Sequence, residues 1–133
     1  GGGGTGGGGG GYVPPPSPGA SGAIAAAKSQ LGVPYRFAAE EPNVAFDCSG
    51  LTKWAWGRAG VRMPHQSRAQ FASFPQVAIA EAQPGDLLFF RSPISHVALY
   101  LGGGLLIHAV QPGTLVSIAA VRWGNVVGVV RPG

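Results

Sequence analysis

The sequence predicts an α+β fold, with N-terminal helices packed on a mostly antiparallel sheet of five to six strands. Three observations carry that prediction. Helical spacing of apolar residues is confined to residues 21–74. From Pro84 onward, five β-rich runs follow one another across short turns. Globular patterning starts near Ala20, which leaves roughly 110 residues, enough for one sheet covered by a few helices.

Ten of the first eleven residues are glycine, broken only by Thr5, and such a run cannot bury apolar surface. "YVPPPSP", Tyr12 to Pro18, favours extended polyproline backbone. Residues 1–19 therefore read as a Gly- and Pro-rich flexible linker, and residues 20–133 as one domain. The first helix spans Ser21 to Leu31, with Ser21 as N-cap, Gly32 as stop, and Ile24, Ala27 and Leu31 on one face. "VPYRFAAEEPNVAF" has two prolines and no period, so it reads as a loop. The second helix runs from about Cys48 to Ala59, with Asp47 as N-cap and Gly60 at its end. Leu51, Trp54, Ala55 and Arg58 share one face, which puts Trp54 in the core and Trp56 nearer the surface. A short third helix covers "SRAQFASF", and His65 before it reads as a surface group. The strands are "GDLLFF", "SHVALYL", "LLIHAV", "LVSIAAV" and "VVGVVR".

Charged residues make up only 11% of the chain and hydrophobic residues 45%, with a net charge of +4. The basic residues are scattered without runs or interleaved aromatics, so no nucleic-acid footprint is expected. No apolar run approaches the roughly 18–20 residues of a membrane span, so no membrane insertion is expected. The chain begins without Met or a signal-peptide pattern and reads as a mature or shortened fragment. A single cysteine excludes an internal disulfide framework. That count fits the cytosol, and equally an exported enzyme whose thiol must stay free.

The cysteine's position is the informative feature. At the first turn of a helix, Cys48 faces unpaired backbone N–H groups and the positive end of the helix dipole, which favour thiolate and lower a pKa of about 8.5. A catalytic thiol also needs a base and a group to orient that base. His96, Ala98 and Tyr100 share one face of their strand, while Leu106, His108 and Val110 share one face of the next. An odd-length reversal around Gly102–Gly104 sets His96 directly opposite His108, within about 5 Å at Cβ. An even-length loop sends the two rings to opposite faces. The plainer readings are a core cysteine and structural strand histidines. A zinc site at Cys48, His96 and His108 lacks close ligand spacing, so no metal is expected.

At these residues the chain resembles a known family. "FDCSGLTKWAW", "PGDLLFF" and "SHVALYLGGGLLIHA", in this order and spacing, are similar to the NlpC/P60 cell-wall cysteine peptidases, over about residues 20–133. The mycobacterial members, with Gly- and Pro-rich leaders, look most alike. The resemblance implies a papain-like α+β fold in which Cys48 is the nucleophile, His96 the base and His108 the orienting residue. It implies further that Tyr35 helps hold the oxyanion with the Cys48 N–H, and that Asp47, Ser49 and Ser95 contact the substrate peptide. The implied reaction cuts peptidoglycan stem peptides, commonly between D-glutamate and diaminopimelate, through a thioester acyl-enzyme. It needs no metal or organic cofactor, and the implied protein is a secreted, cell-wall monomer. Three positions depart from the family pattern. Phe37-Ala38-Ala39-Glu40-Glu41 stands where glycines are usual, His65 stands in an arginine's place, and Ala45 replaces a glycine. The first departure would narrow or recharge the substrate groove. The rival expectations are a peptidoglycan-binding module with little hydrolysis, and a thiol hydrolase or acyltransferase acting on lipid or amide substrates.

Overall fold

The structure is a computed structural model that describes residues 16–133. The predicted linker over residues 1–15 lies outside the described residues. Three helices precede most of the sheet: α1 (Ala20–Lys28), α2 (Cys48–Arg58) and α3 (Ser67–Ser73). A two-stranded ribbon, β1 (Glu40–Glu41) with β2 (Ala45–Phe46), interrupts the segment that reads as a loop. The main sheet holds β3 (Gln76–Val77), β4 (Leu87–Phe90), β5 (His96–Gly102), β6 (Leu105–His108), β7 (Ser117–Ala120) and β8 (Val126–Val130). Its order is β3-β8-β4-β5-β6-β7 and every pairing is antiparallel. The expected α+β class and strand count are therefore observed. The sixth strand, to which no sequence run was assigned, is the two-residue β3, too short to show an alternation.

Alternation along the strands divides the core. Leu87, Phe89, Val97, Leu99, Ile107 and Val130 face the helices, where Leu51, Ala55 and Trp56 meet them. Leu88, Ala98, Tyr100, Leu106 and Val129 form a second cluster on the other face. The helix α2 lies between α1 and the sheet, so it buries two sides: Ser49, Thr52 and Trp56 as well as Leu51 and Ala55.

That sandwiching overturns the tryptophan assignment. Trp56 is fully buried and Trp54 only partly. The Trp56 indole donates to the Gly85 carbonyl at 3.0 Å, and it fits because its neighbours lack side chains. A Cβ on Gly19 would stand 2.8 Å from the ring. The start of α1 also differs from expectation. Its N-cap is Gly19, without a side-chain cap, and Ser21 lies inside the helix. The helix ends at Lys28, four residues before the left-handed Gly32, and buries Ala20, Ala23 and Ala27, leaving Leu31 exposed. Small side chains on that face allow close approach to α2.

Candidate active site

Asp47 caps α2 as the sequence predicts, accepting from the Gly50 N–H at 2.7 Å. Its other carboxylate oxygen accepts from the Ala38 N–H at 2.9 Å. One carboxylate thus ties the helix tip to the loop in front of it. Ala38 sits there at φ +62°, a left-handed conformation that costs an L-residue about 1–2 kcal/mol. This is the segment where the resemblance leads one to expect glycine.

Cys48 opens α2 and is half-buried. Its thiol pKa is pushed up, contrary to the expected lowering. Burial is the largest cause, and the Asp47 charge adds to it. The N–H groups of Val97, Ser49 and Cys48 itself pull the other way and lose. The Val97 amide is informative, because it brings the sulfur to the start of β5, one residue beyond His96.

His96 is 6% exposed, and its Nε2 lies 3.0 Å from His108 Nδ1. The rings share a face, as expected, yet they are not directly opposite. Pairing runs Leu99 with Ile107 and Tyr100 with Leu106, which sets the histidines diagonally across the ribbon. The reversal is even-length: Gly102 pairs with Leu105 across Gly103 and Gly104, both at positive φ. Alone it would separate the rings. A bulge between Tyr100 and Gly102 inserts one residue, Leu101, and restores the parity. Burial, the neighbouring His108 and the Arg91 charge lower the His96 pKa to about 3. Burial also lowers that of His108. Both rings are neutral near pH 7.

One recess lies at this tip and a second at the histidine pair. The first, about 340 Å³, is lined by Tyr35, Phe37, Ala38, Asp47, Cys48, Ser49, His65 and Ser95. The second, about 620 Å³, holds His96 and His108. Ser95 of the first precedes His96 of the second in the chain and accepts a hydrogen bond from Arg91 of the second. Tyr35 is placed beside Cys48 by its bridge to Phe46, and burial with the adjacent Cys48 and Asp47 raises its pKa, so its hydroxyl stays a donor. Ser49 is buried and Ser95 is exposed, accepting from Arg91 Nη1 at 3.0 Å.

His65 is the residue the sequence reading misplaced. Rather than sitting free at the surface, its Nε2 lies 2.7 Å from Asp47 Oδ1 and its Nδ1 3.9 Å from Glu40, which Lys53 holds at 2.8 Å. The only available signal was its position in place of an arginine, a hint that this spot wants a partner for a carboxylate. Among the described residues no three His, Cys, Asp or Glu side chains converge to hold a metal ion. No described helix is long and apolar enough to cross a membrane.

Comparison with known proteins gives a consistent result. A sequence model of the NlpC/P60 family matches residues 32–127. "Probable endopeptidase Cgl2188" of Corynebacterium glutamicum is 45% identical over 92 residues, covering 69% of this chain and 44% of that protein. "Probable endopeptidase Rv2190c" of Mycobacterium tuberculosis is 41% identical over 95 residues, covering 71% of this chain and 24% of that protein. The chain thus spans a quarter to under half the length of these relatives. The solved peptidoglycan hydrolase RipB of M. tuberculosis superposes with TM-score 0.79 at 33% identity, covering 85% of this chain and 64% of that one.

Proposed function

The chain belongs to the NlpC/P60 family, and from that membership we propose that it is a cysteine endopeptidase of peptidoglycan stem peptides, acting at the cell wall. The single observation that carries the reading is the His96–His108 hydrogen bond at 3.0 Å, which supplies a paired base on the strand whose next residue, Val97, bears on the Cys48 thiol at the tip of α2. The resting state is a neutral thiol and a neutral imidazole, not an ion pair. For His96 Nδ1 to act as base, Nε2 carries the proton and donates it to His108 Nδ1. That bond persists when His96 becomes cationic, which is how His108 orients and stabilises the base.

His96 Nδ1 takes the Sγ proton as sulfur attacks the scissile carbonyl. The Cys48 N–H and the Tyr35 hydroxyl donate to the oxyanion. The proton passes to the departing amine, leaving a thioester that water hydrolyses, with His96 again as base. Asp47, Ser49 and Ser95 line the recess that takes the peptide on one side of the bond. The favoured bond joins D-glutamate to diaminopimelate.

Cys48→Ala should abolish release of stem-peptide fragments from purified cell wall, and unchanged release would sink the mechanism. Mass spectrometry of products from defined muropeptides identifies the bond. A second reading, a binding module, draws support from the raised thiol pKa and from the strained, side-chain-bearing loop at Ala38. Co-sedimentation with cell wall without new amine termini would favour it.

A further inference from the structure

The larger recess has walls that the chemistry above leaves unused. Besides the two histidines it is lined by two arginines, Arg91 and Arg122, by Asn125, and by apolar Phe90 and Leu106. The chain has only five acidic side chains. Glu40 pairs with Lys53, Glu41 with Arg36, Asp47 with His65 and Asp86 with Arg131. Glu81 lies by Arg131. Among the described residues, neither Arg91 nor Arg122 has a carboxylate partner.

Two like charges facing one cavity repel each other, and the concave wall concentrates their field. A ligand that brings an anion relieves the repulsion. Guanidinium forks match carboxylates in shape, and a recess of about 620 Å³ is of small-ligand size. Arg91 is exposed but tethered. Its backbone is left-handed, at φ +71°, and its Nη1 donates to Ser95, which lines the smaller recess. Strain of this kind collects at functional positions.

We propose that the cavity lined by Arg91, Arg122 and Asn125 is a subsite for a free carboxylate of the substrate. It lies on the side of the scissile bond opposite the Tyr35–Asp47–Ser95 recess. The assignment rests on the peptidase reading, since it presumes that a peptide crosses the Cys48 tip. A carboxylate held there also offsets the Arg91 charge that bears on His96, so the matching substrate makes the base more basic.

The test compares one stem peptide carrying a free carboxylate beyond the scissile bond with the same peptide amidated there. The intact chain should prefer the acid by about tenfold or more in kcat/KM, chiefly through KM. Arg122→Gln should bring that ratio to within about threefold of unity, and Arg122→Lys should restore part of it. Arg58→Gln, a control for net charge on exposed α2 surface, should leave the ratio intact. Equal handling of acid and amide by the intact chain, or an undiminished ratio in Arg122→Gln, overturns the subsite. Calorimetry of both peptides on the Cys48→Ala chain separates the two readings. Acid-selective binding without turnover by the intact chain overturns the peptidase and keeps the subsite. Turnover without acid preference does the reverse, and the absence of both overturns both.

Discussion

Between Asp47 and Glu40, His65 turns a substitution in the family pattern into a local contact. An arginine would reach both carboxylates from a longer stem, whereas the imidazole bridges them at 2.7 and 3.9 Å. Nothing in the sequence near His65 announces this, because Asp47 lies 18 residues away. Cys48 was legible for the opposite reason: its surroundings, Asp47 before it and helical spacing after it, are local. At the same scale the diagonal His96–His108 bond makes a distinction that can be measured. His108→Ala leaves His96 Nε2–H without its acceptor and should lower kcat by about 10–100-fold. His108→Asn offers an amide oxygen and should stay within about tenfold of the unaltered chain. Steady-state kinetics on a muropeptide, read as kcat at little-changed KM, checks both. Equal losses in the two variants would remove His108 from the orienting role.

Helix α3 holds the N-terminal tip of α2 through one buried amide. Gln70 is fully buried, accepts from the Thr52 hydroxyl at 2.7 Å, and donates to the carbonyls of Ser49 and Pro64, each at 2.9 Å. Replacing it by leucine keeps the volume and strips the Pro64 carbonyl of its donor, while the Thr52 hydroxyl can still donate to the Ser49 carbonyl at 3.1 Å. We expect Gln70→Leu to cost about 1–3 kcal/mol in urea unfolding, the penalty of one buried polar group that finds no water. A loss below half a kcal/mol would mean that water already serves that group. The ribbon of β5 and β6 makes the complementary point. Three glycines declare a reversal, and the alternation of His96 with Ala98 and Tyr100 is visible in sequence. The bulge at Leu101 is not, since it reflects how the hairpin meets its neighbours. Gly102, for instance, lies where a Cβ would be 2.9 Å from Pro84.

At the scale of the whole molecule, two buried neutral histidines make stability depend on pH. In the unfolded chain each binds a proton near pH 6.5, while in the folded chain His96 does so only at about 3 and His108 also below its ordinary value. Between these limits the unfolded state holds more protons, so stability rises with pH and falls on acidification from about 6.5 toward 3. The urea midpoint should drop from pH 7 to pH 4, and the drop should be smaller in a His96→Asn/His108→Asn chain. An identical pH slope in that variant would discount the pair as its source. The sequence by itself determined the α+β class, the helix tip beneath Cys48, the residues that share each histidine's face within its own strand and the family, because periodicity, capping and turn chemistry act over a few residues. Tertiary structure alone decided that Trp56 is buried and that His65 clasps Asp47. It also decided that Leu101 keeps the histidines together and that the Cys48 thiol pKa goes up. Burial, register and field are set by groups far apart in the chain, and they come together only when it folds.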